Sequence, residues 1–265
     1  MLQKMLYEYV SEDLVWYLIY VTYGVGFFSV LLAKYKLPLM LQYGKTLTLP
    51  RVGGHFSWYA SLTVPRSYFT HFYTLSFLLS IINVCMFYRY LITWCICLHS
   101  LRRLLESVKV TVWGASSRMH YAHYFVGIWF YSALNLTVYL QLSEDAATSM
   151  ASDHINKMLP GIGLVLFIIA SCDQLLNHIH LAQLVKYSPP SRRLFKWVAC
   201  AHYFDEVIIY ISLALVGRTT RWSLTLASIW VLINLGVSSI ETRRYYMSKF
   251  KSLPIAPYAL IPFIL

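Results

Sequence analysis

The chain has 265 residues, 58% of them hydrophobic and only 12% charged, about half the charged share of a water-soluble domain. A soluble fold of this size cannot hide so much apolar surface, so the composition excludes an ordinary globular protein and points to lipid as solvent. Lys and Arg (22) outnumber Asp and Glu (11), and the resulting net charge of +11 reads as membrane topology rather than a nucleic-acid footprint.

The N-terminal stretch to Asp13 is acidic, whereas a secretory leader opens with positive charge, so the first apolar run reads as a retained span. Seven stretches approach the about 20 apolar residues that one crossing needs. They are Leu14–Ala33, Ser67–Phe87, Tyr90–Leu105, Tyr121–Leu142, Met158–Leu181, Val207–Leu215 with its flanks, and Ser223–Ser239. The expected fold is an all-α integral membrane protein of about seven helices in a single domain over residues 1–265. The third stretch is apolar only to Leu98 and the sixth is short, so six crossings is the alternative. Basic residues gather in alternate loops: Lys34 to Arg66, Arg102 to Arg118, Lys186 to Lys196, and Arg243 to Lys251. Acids gather in the others, at Glu8, Glu12, Asp13, Glu144, Asp145 and Asp153. Basic loops stay cytosolic, which puts the N-terminus in the lumen and the C-terminus in the cytosol; Arg218 and Arg221 break the pattern. The sequon at Asn135 falls inside the fourth span and should stay unmodified. Five cysteines in mostly apolar surroundings give neither a disulfide framework nor metal spacing.

Ionisable groups at membrane depth are costly and point to function. Asp173, Gln174, Asn177, His178 and His180 form a polar stripe over about two turns at the end of span five. Two readings stand: hydrogen bonds between helices, or one wall of a cavity for a polar ligand. His178 and His180 lie two apart on different faces, which disfavours a metal. Lys186, Tyr187, Arg192 and Arg193 follow on a Pro-containing loop, then His202 and Glu206; the basic residues suit phosphate, or serve only as the positive-inside signal. Span three carries His99, Arg102, Arg103 and Glu106; Arg102 and Glu106 are i,i+4 and fit a surface pair. Gly161-Ile162-Gly163 has no preceding strand and makes a poor dinucleotide motif, and His120 with His123 fits helix-end contacts. The 22 tyrosines partly reflect interfacial belts.

In order along the chain, a series of segments resembles the steroid 5α-reductase family, and within it the fungal polyprenol (polyprenal) reductase branch. They are Leu41 to Thr46, Val64-Pro65 with His71 to Tyr73, His99 to Arg103, Ser117 to Met119, Asn177-His178 through Tyr187, Ala201 to Glu206, and Ala259 to Leu265. The resemblance implies an endoplasmic-reticulum membrane enzyme of seven helices. Such an enzyme would use NADPH to saturate the α-isoprene double bond of a polyprenoid lipid, on the way to dolichol and protein N-glycosylation. It implies a cofactor-binding part over about residues 158–265, with Gln174, Asn177, His178, Lys186, Tyr187, Arg192, Arg193, His202, Glu206, Arg244 and Tyr246 around the cofactor. In the steroid branch a Glu before the Val-Pro and a Tyr after the His of span three polarise the enone. Trp58 and Ser100 stand at those places here.

Hydride addition needs an electron sink. An α,β-unsaturated aldehyde offers its carbonyl oxygen and an allylic alcohol offers none, so polyprenal is the expected substrate. Tyr73, His99 and Glu106 are the candidates for polarising that oxygen or relaying a proton. The isoprenoid tail would lie between helices open to the bilayer. Two alternatives are a membrane methyltransferase using S-adenosylmethionine and a non-catalytic lipid-binding subunit.

Overall fold

A computed structural model of the protein describes residues 2–36, 62–147, 158–185, 188–217 and 221–265. The motif at Tyr43 to Thr46, Trp58, Asp153, Lys186, Tyr187 and Arg218 lie outside the described residues. Seven α-helices are found among those described: α1 (Leu2–Tyr35), α2 (Phe69–Phe87), α3 (Leu91–Lys109), α4 (Tyr121–Ala147), α5 (Met158–Gln183), α6 (Ala201–Gly217) and α7 (Ser223–Lys249). Each apolar stretch of the sequence falls on one of them. Five are long and apolar enough to cross a bilayer, with the crossing parts at Asp13–Tyr35, Arg66–Phe87, Tyr121–Ala146, Met158–Gln183 and Ser223–Lys249. The chain is therefore a multi-pass membrane protein. Its α1 and α5 leave Leu18, Val25, Phe28, Val165 and Ile169 exposed, as lipid-facing residues should be. Helix α6 has 17 residues, and α3 turns polar after Leu98.

Helices α2 and α3 form a hairpin across Tyr88–Tyr90. Tyr90 is extended at the start of α3, the Thr93 hydroxyl donates to the Tyr90 carbonyl at 2.8 Å, and the Trp94 indole donates to the Tyr88 carbonyl at 2.8 Å. These bonds satisfy carbonyls that a broken helix would leave bare. α2 packs on α3 and α4, α5 lies along α6, and α7 packs against α6 and α1. A buried polar chain ties α2, α3 and α4: Ser76 and Ser100 hydroxyls are 2.7 Å apart, and the Asn135 amide donates to Ser76 and to the Tyr131 carbonyl. Asn135, the sequon residue, is thus spent on helix packing.

The all-helical expectation omitted one small sheet. β1 (Thr63–Pro65) and β2 (Arg118–His120) pair antiparallel, with Val64 opposite Met119. Arg118 fastens it by donating to the Thr63 hydroxyl at 2.6 Å and the Thr63 carbonyl at 2.7 Å. It joins the segments that lead into α2 and α4, and so sets the start of both. At the C-terminus, Tyr258 and Ala259 bond the backbone of Trp197, Ala199 and Cys200, which seats the last residues against the entry to α6. On the acidic side, Arg221 contacts Glu144 at 3.0 Å, and Glu144 also accepts from the Trp16 indole. The arginine that breaks the loop-charge pattern is therefore neutralised by a carboxylate of α4.

Gly161-Ile162-Gly163 is a helix-packing feature. A Cβ on Gly163 would lie 2.9 Å from the Ser212 carbonyl oxygen and 2.9 Å from Leu215 Cβ, whereas one on Gly161 would meet nothing within 4 Å. Close approach of α5 to α6 requires Gly163 and not Gly161. Gly163→Ala should lower stability by about 1–3 kcal/mol through overpacking. Gly161→Ala should leave stability equal or raise it by up to about 1 kcal/mol. Thermal unfolding of the two variants in detergent checks both.

Candidate active site

The second half of α3 is polar because it is surrounded by helices. Glu106 is 2% exposed and sits at the centre of a charged network. One oxygen takes Arg102 at 2.5 Å, and the other takes Arg103 and the Nδ1 of His178, the latter at 2.7 Å. Burial alone would raise this carboxyl. The hydrogen bond from His178 and the charges of Arg103 and Arg102 outweigh it and hold the group at about 2. Glu106 lies past the apolar run of α3, in its last turn, and is ionised.

Arg102 extends the network to α5 and α6. Its guanidinium donates to the Gln174 side-chain oxygen at 2.5 Å and to His99 Nδ1 at 3.2 Å. Gln174 in turn donates to Glu206 at 2.5 Å and to the His202 carbonyl at 2.9 Å. His99 Nδ1 is the acceptor, so its proton is on Nε2, which faces Glu206 at 3.5 Å. Two guanidiniums, Arg102 and Arg103, are thus matched by two carboxylates, Glu106 and Glu206. On the other side, Arg103 donates to the Tyr73 hydroxyl at 2.7 Å, with its guanidinium carbon 4.7 Å from the Tyr73 ring centre. That bond uses a lone pair of the phenol and leaves its proton to be donated elsewhere.

A cavity of ≈ 520 Å³ adjoins the network. Tyr73, Arg103, Gln174, His178, His202, Glu206 and Tyr246 all line it, so seven of the residues singled out in the sequence meet on one wall system. Phe72, Phe130, Trp230 and Val231 give it an apolar part; Arg66, Trp113, Asn234 and Glu241 add polar and aromatic lining.

The polar stripe of α5 divides between its two readings. Gln174 and His178 reach the cavity, whereas Asn177 donates to Asp205 at 2.7 Å and to Asp173 at 3.0 Å. Asp173 also holds Arg193, and His180 packs against the Phe195 ring at 5.8 Å. These groups act as glue. His99 and Glu106 stand behind the cavity wall, in contact with Glu206 and Arg103, which line it. Arg192 is exposed, and Arg244 is exposed and paired with Glu241 at 2.6 Å; neither lines the cavity.

Arg102, read from spacing as a surface pair with Glu106, does make that pair, but it also bridges three helices. Its signal was the second arginine beside it: adjacent helical positions lie about 100° apart, so two buried neighbours mean that this turn is enclosed on most sides. Tyr131 and Tyr210 were also missed among the many tyrosines. Their signal is depth, since both sit well inside their apolar stretches and not at interfacial ends.

Residues 115–265 match the 3-oxo-5-alpha-steroid 4-dehydrogenase family. Over 262 residues, 96% of this chain and 98% of the relative, the sequence is 42% identical to the polyprenal reductase of Saccharomyces cerevisiae. It is 31% identical to the polyprenal reductase of Xenopus laevis over 182 residues, 63% of this chain and 56% of that one. It is 26% identical to polyprenal reductase 1 of Arabidopsis thaliana over 198 residues, 63% of this chain and 62% of that one. Members of the family are oxidoreductases that act on a carbon–carbon double bond with a nicotinamide cofactor. The chain belongs to the 3-oxo-5-alpha-steroid 4-dehydrogenase family and groups with its polyprenal reductases.

Proposed function

We propose that this protein reduces the α-isoprene double bond of polyprenal with NADPH, in the endoplasmic-reticulum membrane, as a step of dolichol synthesis that supports N-glycosylation. The observation that carries the reading is the Arg103–Tyr73 pair on the wall of a cavity that is polar on one part and apolar on another. In this reading α3 and α6 complete seven crossings, with the N-terminus lumenal and the C-terminus cytosolic by the charge of the loops.

The lining suits a dinucleotide. Arg66 supplies a cation, Trp113, Tyr203 and Tyr246 supply aromatic faces, and the Ser117 hydroxyl is buried without a partner among the described residues. Gln174, His178, His202, Glu206 and Tyr246 would hold the cofactor, while Asn177 positions the loop entering α6 through Asp205. Lys186, Arg192, Arg193 and Arg244 would give the cationic surroundings that phosphate groups need, with Tyr187 as a hydrogen-bond donor among them. When bound, NADPH supplies a hydride to the β-carbon of the enal.

The chain's part is to accommodate the charge that follows. As the β-carbon gains its hydrogen, the double-bond pair shifts toward the carbonyl oxygen and forms an enolate, which the Tyr73 proton stabilises by hydrogen bonding. Arg103 keeps that phenol oriented, and Glu106 keeps Arg103 in place. The enolate then takes a proton from water at its α-carbon, which leaves a saturated aldehyde and a hydroxide that solvent protons neutralise. The apolar lining excludes bulk water and takes the first isoprene units, whose burial adds binding energy remote from the reacting atoms.

Three outcomes are expected. NADPH at a hundred times its Kd should raise the unfolding free energy by about 2.7 kcal/mol, and S-adenosylmethionine should give none of this protection; equal protection by both would overturn the cofactor assignment. Purified protein with NADPH should consume polyprenal and leave polyprenol untouched when no dehydrogenase is present, as followed by lipid chromatography. Glu106→Gln should cost on the order of 3–5 kcal/mol in thermal unfolding, because two guanidiniums lose their shared carboxylate. Since the folded carboxyl is held at about 2, below its ordinary 4.5, this contribution is complete above about pH 5 and disappears only as the pH falls toward 2. The melting difference between wild type and Glu106→Gln should therefore be constant from pH 6 to 8.

A further inference from the structure

Among the phenols that share this cavity with Tyr73 are Tyr131 from α4 and Tyr210 from α6. The rings of Tyr73 and Tyr131 are 5.6 Å apart and nearly perpendicular, and Tyr131 is a ring contact of Phe130 at 5.4 Å. Tyr210 is 2% exposed and held on two sides, by Phe130 at 5.5 Å and by the ring of His99 at 5.9 Å. Its backbone is pinned as well, since the Ser228 hydroxyl of α7 donates to the Tyr210 carbonyl at 2.8 Å. It lies one turn beyond Glu206 on the same face of α6, the face that meets the cavity.

The Tyr210 hydroxyl is nonetheless unspent. It reaches toward the Tyr131 hydroxyl without forming a hydrogen bond of good geometry, and it is buried with no partner among the described residues. A buried hydroxyl with no partner costs about 1–3 kcal/mol, so its retention on a cavity wall calls for a ligand atom to satisfy it. Cations are poor candidates for that atom: Arg103 already lies on this side of the cavity. A neutral oxygen that becomes negative during reaction is the complementary partner.

We propose that Tyr210 is a second hydrogen-bond donor to the aldehyde oxygen of the substrate, acting with Tyr73 as a two-phenol oxyanion site. This rests on the polyprenal reading above and goes beyond it by assigning the donor pair. Both phenols stay protonated throughout; they donate hydrogen bonds to the enolate oxygen, and the proton that completes the reduction is still the one water gives to the α-carbon. Tyr131 lines the same wall with its ring against that of Tyr73 and so limits where the oxygen can sit.

The test uses the full-length protein in detergent, with Tyr210→Phe as the variant because it keeps the ring that Phe130 and His99 pack against. Loss of one oxyanion donor should lower kcat for polyprenal by about 10²–10³-fold. Protection from unfolding by NADPH should be unchanged, which separates the assignment from a cofactor-binding or purely structural role. An independent readout needs no turnover: a saturated isoprenoid aldehyde labelled with ¹³C at the carbonyl, bound to the NADPH complex. Its carbonyl stretch should fall to lower frequency than in detergent alone, and should recover part of that displacement in Tyr210→Phe. A variant with kcat within twofold of wild type, or a carbonyl band that Tyr210→Phe does not move, overturns the proposal while leaving the reductase reading intact. An unshifted band in the wild type itself also overturns it, even if the variant fails to fold. Wild-type protein that neither binds NADPH nor reduces polyprenal overturns the underlying reading instead.

Discussion

The carboxylate of Glu106 is the constraint on which this site depends. Two arginines one residue apart on α3 cannot both be enclosed by neighbouring helices unless an anion compensates them, because an unpaired buried guanidinium costs several kcal/mol. Glu106 supplies one oxygen to each. With their charges met, Arg102 is free to reach α5 and α6 through Gln174, and Arg103 to reach α2 through Tyr73. Remove the carboxylate and the two bridges lose their common anchor. A pair of i,i+4 and i,i+3 contacts within one helix therefore organises contacts among four.

The same network explains why a polar site can exist in so apolar a chain. Arg102 and Arg103 share the carboxylate of Glu106, and the carboxamide of Gln174 links this cluster to Glu206 by accepting from Arg102 and donating to Glu206. Such closed sets are tolerated where isolated charges are not. The separation of tasks along α5 follows from geometry. Residues 173 and 177, one turn apart, bind Arg193 and Asp205, whereas 174 and 178, the next pair on the helix, reach α3 and the cavity, Gln174 also meeting Glu206 of α6. One stripe thus provides both the glue and the wall.

Much of this was legible in the sequence, for identifiable reasons. Each of the seven helices described announced itself by an apolar run, and the five that are long and apolar enough to cross a bilayer gave the clearest signal, because burial in lipid needs a long hydrophobic stretch. The polar stripe was visible because Gln174 and His178 are expensive at membrane depth. Pairing of β1 with β2 was not visible: three-residue strands such as Thr63–Pro65 carry no period, and only tertiary proximity makes Val64 meet Met119. The reach of Arg102 was not visible either, since helical spacing reports partners within one helix and is silent on Gln174, 72 residues away. Tyr210 was hidden by its type. A tyrosine in an apolar span counts as hydrophobic, and only the geometry shows its hydroxyl buried on a cavity wall without a partner among the described residues.

The position after His99 brings these points to bear on the chemistry. Where the steroid branch carries a tyrosine that helps polarise its enone, this chain carries Ser100, 1% exposed and committed to Ser76 in the chain that binds α2, α3 and α4. A serine reaches several ångströms less far than a tyrosine, and this one is fully engaged in helix packing, so it cannot replace the lost donor. In the proposed reading the oxygen is met from elsewhere, by phenols that other helices place on the cavity wall. Tyr73 has its lone pair occupied by Arg103 and its proton free, and Tyr210 has both unspent. Donors on α2 and α6 approach from different directions than one on α3 would, which suits the end of a linear chain, where a single aldehyde carbon must enter between them, better than a ketone set in a rigid ring. The exchange of a tyrosine for a serine on α3 and the placement of phenols on α2 and α6 are then two sides of one change of substrate.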